Sequence, residues 1–538
     1  MELSQSTKNL ISKYQLWQMS KQGKDGAFTI HVDEVAMKVA AFYEHIRTIV
    51  DWKEEHLMQR AAIIRKLKRR FLDLELNNFD VQSLAENLIM ELIRGGYFPN
   101  DKIEESKIGH VQKIVDKYVF ILKQSPENKK GKTGLQFYNR LLEVAACEIE
   151  ETLTPSTKEM ALIEYMFEAM KERIKVNDAI YQRGTLKKED KDIQIYIAIQ
   201  QALFKFDAPI ISYNLIRYKY PQWENPGEDD LLKISQNIHS IINAIEKDLS
   251  HPLGKKFYAI CEKYDTAYLL IGDIVLGENL EKIGQNLYQP ALLEEQIKNV
   301  YARRLKDLKT KISRVAFYST ISIFITKILT LLLLEIILAK IAAQHINTLS
   351  LIADILIPTA LMAVLVANVR PPSKKNAHLV IVEIMKIFYY KENPDTYEIK
   401  IARKKGVATR IILSLTYLAG ACISFGAIYW VLDSLNFPPT SIIINTIFIA
   451  LILFAGTVVQ KRGQELTIEE DSGGFLLFAS DILFLPITGM GRFLSNKWKQ
   501  YNAITAFFNA LIDMPFSAFV EFLERWRGFI KEKKEELR

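Results

Sequence analysis

Apolar positions change their rhythm once along the chain. Up to about residue 314 they recur at three- and four-residue steps among charged residues; beyond it they gather into long runs. Val35, Val39, Phe42, Ile46 and Ile49 form one helical stripe, and Leu84, Leu88 and Leu92 form another that ends at the pair Gly95-Gly96. "STKEM" offers a capping box from Ser156 to Glu159. Further helices are predicted over 189–205, 229–249 and 254–275, and from 289 into the first apolar run. No stretch alternates with period two, so no sheet is predicted. After Pro290 nothing breaks the pattern before the apolar run. The last polar helix therefore either continues into that run or bends near Lys311.

Four runs, about 318–342, 349–369, 410–432 and 441–460, have the roughly 20-residue length a helix needs to cross a bilayer. The predicted fold is all-α, with a helical cytosolic domain over 1–314 and a transmembrane region of two hairpins over 315–460. Residues 461–538 then hold a re-entrant or interfacial segment and an amphipathic C-terminal helix. "GGFLLFASDILFLPITGMGRF" is apolar, but Asp481, Pro486, Gly489 and Gly491 break it, so it is expected to re-enter the membrane or lie on its surface. In the final stretch Phe516, Phe519, Val520, Leu523, Trp526 and Ile530 share one face, with Glu521, Glu524, Arg527 and Lys531 on others. Such a stripe suits a helix lying in the headgroup region or one packed on the cytosolic domain.

Charge placement orients the spans. "QHINTLS" and "DSLNFPPTS", within the two hairpins, carry no Lys or Arg, whereas "YARRLKDLKTKISR", "RPPSKK", "KIARKKGVATR" and "QKRG" flank the other ends. Basic residues stay inside, which predicts a protein of the cytoplasmic membrane with both termini cytosolic and two short outward hairpins. The first residues lack the apolar core of a signal peptide. The net charge of +7 is mild for 538 residues, and Cys147, Cys261 and Cys422 lie too far apart for a zinc ribbon or a disulfide framework.

Motifs for chemistry are few. "GKT" at 131–133 lacks the glycine at 126 that a phosphate-binding loop needs, because that residue is Pro. His45 and His56 share a helical face about 16 Å apart, too far for one metal. No catalytic, cofactor or metal constellation stands out, so no cofactor is expected and nothing supports an enzyme. "RAAIIRKLKRRF" carries Arg60, Arg65, Lys66, Lys68, Arg69 and Arg70. With no aromatic residues beside it for base stacking, lipid headgroups are expected there ahead of nucleic acid, as at Trp526 and Arg527.

Three charges interrupt the first span. If its hairpin turns near Asn347, Lys340 lies level with Asp354 and the two pair, while Lys327 sits about one turn inside and snorkels to the inner headgroups. Glu335 has no such relief. Its i±3 and i±4 neighbours are all Leu, Ile or Ala, and its level partner is Thr359, beside Pro358. It is therefore protonated, paired with another helix or a second protomer, or wetted by a cavity. Pro358 frees a carbonyl in the second span. In the third span, Gly420, Cys422, Ser424 and Gly426 permit close approach, and Tyr417 and Ser424 offer hydroxyls to a carboxyl group. A structural role as a neutral, hydrogen-bonded acid ranks ahead of proton or cation handling, because a lone carboxyl makes a poor relay.

"FYEHIRTIVDWKEEHLMQRAAIIRKLKRR", "IYIAIQQALFKFDAPIISYNLIRYKYPQW", "FITKILTLLLLEIILAK" and "LPITGMGRFLSNKW" resemble stretches of an uncharacterised family of polytopic membrane proteins from bacteria with reduced genomes. The resemblance spans nearly the whole chain. It implies that soluble and membrane parts work together, and it assigns no activity or site residue. The expected function is a membrane-tethered interaction or assembly platform, with the lipid bilayer and protein partners or further copies of the chain as its contacts. The alternative is a proton- or cation-coupled transporter or channel gated by the cytosolic helices.

Overall fold

Helices form wherever apolar residues recur at helical spacing. The computed structural model describes residues 4–22, 28–32, 59–68, 84–125, 132–277, 289–341, 348–369, 371–389, 395–400, 406–468 and 475–501, with 522, 526 and 529. Within them the chain is all-α apart from one small ladder. It divides into two compact units. One is Gln5–Asp265 with Asn393–Ile399 and Ile504–Arg538; the other is Met1–Ser4 with Thr266–Glu392 and Lys400–Ala503. They are called here the helical unit and the span unit.

The helical unit runs through α1 (Gln5–Gln22), α2 (59–68), α3 (Leu84–Arg94), α4 (Ser106–Gln124), α5 (Lys132–Leu153) and α6 (Thr157–Arg173). Then come α7 (Asp178–Gln182), α8 (Asp190–Phe204), α9 (Ala208–Lys219), α10 (Glu228–Leu249) and α11 (Gly254–Glu262). Leu84, Leu88 and Leu92 are buried along α3, which stops where Gly96 takes a φ of 72° that a side chain would oppose. Asp207 caps α9 by accepting the Ile210 amide. The expected capping box at Ser156 does not form: its hydroxyl donates to Glu151 Oε2 at 2.6 Å, turning back to the preceding helix. Strands β1 (Ile174–Val176) and β2 (Tyr397–Ile399) pair in parallel. Three residues each are too few for the alternation that predicts a sheet. The stripe over 35–49 and both His45 and His56 lie outside the described residues.

Two polar centres are sunk into this unit. Lys117, on α4, donates to Glu148 Oε1 and to the Trp223 carbonyl, while Tyr118 and the Trp223 indole both donate to Glu148 Oε2. Every oxygen of that carboxylate is occupied. Burial lowers the affinity of Lys117 for its proton, and the Glu148 charge opposes the shift. Nearby, Arg60 is 3% exposed and donates to Asp207 and to Cys147 Sγ. Its distance to Glu150 is 4.0 Å. Burial pushes the Glu150 carboxyl up to about 7, against the pull of Arg60 and with the repulsion of Asp207.

The span unit contains α12 (Asp265–Gly277) and α13 (Pro290–Thr330), followed without a break by a π-helical turn (Leu331–Glu335) and α14 (Ile336–Ile341). Next are α15 (Thr348–Ala367), α16 (Lys374–Phe388), α17 (Val407–Ser434), α18 (Pro439–Gly463) and α19 (Phe475–Tyr501). Four of these helical runs, within 290–338, 350–367, 407–434 and 439–463, are long and apolar enough to cross a membrane. Of the two courses open to the last polar helix, the continuous one is taken: α13 runs as one unbroken helix through Lys311. At about 1.5 Å per residue its 41 residues extend roughly 60 Å.

Met362, Val366, Ile452 and Val459 bring α15 and α18 together, with Ile312, Val315 and Ile323 of α13 packed against them. The stretch expected to be broken at Asp481 and Pro486 is instead one helix, α19, that packs on α17 and α18. Glycines allow its approach: a methyl group at Gly420 would lie 2.8 Å from the Ile482 carbonyl oxygen, and one at Gly491 would lie 2.0 Å from that of Ala450. Pro486 lacks only a donor, which a helix tolerates where other groups serve the freed carbonyl.

Candidate functional site

The site begins with the π turn. An ordinary α-helix repeats a face at i and i+7, so Lys327 and Glu335, eight residues apart, would diverge by about 80°. A π turn accommodates one additional residue and moves the shared face to i+8. Lys327 Nζ consequently donates to Glu335 Oε1 within one helical run. The second acid comes from α15: Asp354 Oδ1 lies 2.9 Å from the same ammonium. Asn445, on α18, donates to Asp354 Oδ1 and to the Ser441 carbonyl, 3.0 Å away. The Phe448 ring faces Lys327 Nζ at 5.0 Å. Three of the four apolar helical runs thus contribute to one centre.

The burial of this centre is near complete. Lys327 is 0% exposed, Asn445 1%, and Glu335 and Asp354 2% each. One ammonium faces two carboxylates, a formal balance of −1. Each carboxylate spends one oxygen on Lys327, and the other oxygens, Glu335 Oε2 and Asp354 Oδ2, are buried without a hydrogen-bond partner. Both residues line a cavity with Leu331, Ile336, Ser350, Leu351, Phe437, Pro438 and Ser441. It offers about 10 Å³ to the centre of a water molecule, room for about one. Ser350 donates to the carbonyls of Leu435 and Asn436 at 3.0 and 3.1 Å, which joins α15 to the turn between α17 and α18.

Several expectations are corrected here. Asp354 pairs with Lys327 and not with Lys340, which is exposed. Lys327 does not snorkel; it turns into the protein. Asn347, the expected turn of the hairpin, lies outside the described residues. The cavity brings 331, 335 and 336 opposite 354, 351 and 350, so the facing positions centre near residue 343. Tyr417 and Ser424 do not serve Glu335. Ser424 donates to the Gly420 carbonyl at 2.7 Å and to that of Leu483 at 2.6 Å, and Tyr417 is half exposed near Gly489. Cys422 is exposed and Gly426 faces open space. Pro358 is buried in α15, and the carbonyl it deprives of its i+4 donor is that of Asp354 itself.

The basic patch is largely spent within the helical unit. Arg65 donates to Tyr97 at 2.8 Å and Lys66 pairs with Glu91 at 2.8 Å, whereas Lys68 is half buried. Arg69, Arg70 and Arg527 lie outside the described residues. Trp526 is exposed and stacks on Phe522 with centroids 6.1 Å apart.

Sequence reasoning passed over two residues. Asn445 is an amide inside the fourth apolar run, whose other amide, Gln460, stands at its very end, and a polar group within such a run is a signal. Asn376 sits in "PPSKKNAH", where nothing marks it. It is 0% exposed and donates to Tyr301 of α13 at 3.0 Å and to the Leu466 carbonyl at 2.6 Å, while accepting from the Ile468 amide at 2.7 Å. Arg304 adds a two-pronged pair to Asp273 of α12. One helix therefore carries both these anchors and Lys327. Among the described residues no group of His, Cys, Asp and Glu is arranged to hold a metal ion. No family model matches the chain, and neither a curated protein nor a solved structure does.

Proposed function

We propose that this chain is a multi-pass protein of the cytoplasmic membrane, with both termini cytosolic, that moves protons or monovalent cations by way of its buried charged centre. The observation that carries this reading is the pair of carboxylates on one lysine inside the apolar helices, with a net charge of −1. Charges in that setting are costly, and ion and proton pathways are where they are retained. The objection that Glu335 is alone does not hold, since Asp354 and Lys327 supply a second and a third titratable group. Helix α13 gives a means of coupling: it holds Lys327 at one end and Arg304 and Tyr301 about 35 Å away at the other. A tilt of this rod at its anchors would be felt at the centre.

The test is flux. Purified full-length protein in vesicles should show proton or monovalent-cation movement that Glu335→Gln abolishes while assembly is unchanged. Silent vesicles would sink the proposal in favour of a tethered platform, which the large helical unit and the exposed Phe522, Trp526 and Phe529 favour. Orientation is checked separately by labelling. Ser434→Cys, on the exposed end of α17, should react with an impermeant thiol reagent outside intact cells in a background lacking Cys422. Lys374→Cys should not.

A further inference from the structure

Glu335 Oε2 and Asp354 Oδ2 are two buried oxygens with no partner, bordering one cavity, in a cluster whose formal charge is −1. Each observation alone is compatible with an imperfect ion pair. Together they describe a net negative charge, two buried acceptor oxygens and room beside them. We infer that the centre holds one exchangeable cation of charge +1, a proton or a bare sodium-sized ion, between Glu335 Oε2 and Asp354 Oδ2, with Lys327 as its permanent internal counter-charge. This inference rests on the proposed cation-handling role and names the occupant of the site.

The stoichiometry follows from counting charges over the described elements that pack on the centre. α13 with its π turn contributes Lys327 and Glu335, and α15 contributes Asp354; α18 contributes only the neutral Asn445 and Ser441, and the 437–438 turn adds no charge. Lys340 is exposed and takes no part. One positive charge brings the sum to zero, the state a low-dielectric interior favours. A divalent ion would leave a net positive charge.

Size narrows the choice further. The space accepts about one water-sized object, so a hydrated ion does not fit. A proton shared between two carboxylates satisfies both free oxygens at once, as two acids held together share one. A sodium-sized ion satisfies them as a hard cation among oxygen ligands. The Ser350 hydroxyl can join them, because its hydrogen is given to the 435–436 carbonyls and its lone pairs are left.

The experiment uses the full chain in lipid nanodiscs. Equilibrium binding of radioactive sodium is measured across pH, alongside the infrared band of protonated carboxyl groups. Under the sodium arm, one ion binds per chain, protons compete with it, and Glu335→Gln or Asp354→Asn reduces binding at least tenfold. Under the proton arm, no sodium binds, yet at neutral pH, in a Glu150→Gln background, a carboxyl component equal to one proton per chain is present and is lost on adding the Glu335→Gln, Asp354→Asn double change. The band should also shift in Ser350→Ala, whose fold is checked by circular dichroism. Neither sodium binding nor a variant-sensitive carboxyl band at neutral pH would overturn the inference. Binding without vesicle flux would instead sink only the transport reading, and flux that survives the double variant would sink only this site.

Discussion

Two buried lysines in this protein meet carboxylates, and their surroundings give them opposite characters. Lys117 and Glu148 form a closed centre: one charge of each sign, and a donor for each carboxylate oxygen. Lys327 faces two acids and leaves one oxygen of each without a partner. Burial is similar in both. What separates an internal clasp from a candidate site is therefore the charge sum and the unfilled acceptors, and burial alone does not distinguish them. A buried pair that is complete contributes specificity at little net gain in stability. An incomplete one requires an occupant.

Deleting the cations sets the largest effect against this distinction. Lys327→Met leaves two uncompensated carboxylates and should lower stability by about 3–5 kcal/mol. Recovery should need both Glu335→Gln and Asp354→Asn in the same chain. Lys117→Met should be similarly damaging, but Glu148→Gln alone should restore it. Thermal unfolding in detergent reads all of these. If Glu335→Gln by itself rescued Lys327→Met fully, the open centre would contain only one effective acid and the contrast would fail.

Glu150 sharpens the comparison from between the two extremes. Its carboxyl is buried, with Arg60 only at 4.0 Å, and burial raises it from 4.5 to about 7. The sign follows from an acid whose folded form holds its proton more tightly than its unfolded form. Stability is fully present below about pH 4.5 and is lost as pH rises towards 7, by up to about 3 kcal/mol at 1.4 kcal/mol per unit. Glu150→Gln should remove this loss. The stability difference between variant and wild type should therefore grow between pH 5 and 8. Reactivity of the buried Cys147 thiol, with Cys261 and Cys422 replaced, reports on opening of this region. A difference that stays flat over that range would refute the assignment.

Much of this contrast was written in the chain, but not its pairing. The long apolar helices were legible from the length and composition of their runs, and expected limits of 410–432 and 441–460 fall inside helices of 407–434 and 439–463. Glu335 was legible as a charge deep within an apolar run, whereas Asp354 read as the partner of Lys340. The partner that the two acids share was not legible. A helical wheel assumes 100° per residue, and the π turn at 331–335 shifts the face by one residue with nothing but leucines to announce it. Centring the hairpin on Asn347 then displaced every level partner by about eight residues and gave Asp354 to Lys340. For Ser424 the error was of another kind: a helix discounted for its proline and glycines, α19, lies against it.

Packing at α19 offers a test of middle size. Gly491→Ala places a methyl group into the Ala450 carbonyl and should cost about 1–3 kcal/mol or displace the helix. Gly420→Ala should act in the same direction, less strongly. Gly426→Ala, which meets nothing within 4 Å, should be neutral or slightly stabilising. The same unfolding assay ranks the three, and equal effects would mean that α19 does not pack on these glycines.

The smallest effect separates two serines of the same chemistry. Ser424 and Ser350 are both buried, and each donates to backbone carbonyls of neighbouring segments. Hydrogen bonds between helices in membranes average about 0.6 kcal/mol, so replacing either by Ala should cost about that much and no more. Stability therefore cannot tell them apart. Ser350 borders the cavity beside Glu335 and Asp354, whereas Ser424 faces α19. Ser350→Ala should weaken sodium binding severalfold, or shift the carboxyl band if the occupant is a proton. Ser424→Ala should leave both readouts as in the wild type. Because the two losses of stability match, any difference in the cation readout comes from position alone. Equal behaviour of the two variants would place the hydroxyl of Ser350 outside the site and return it to a purely structural role.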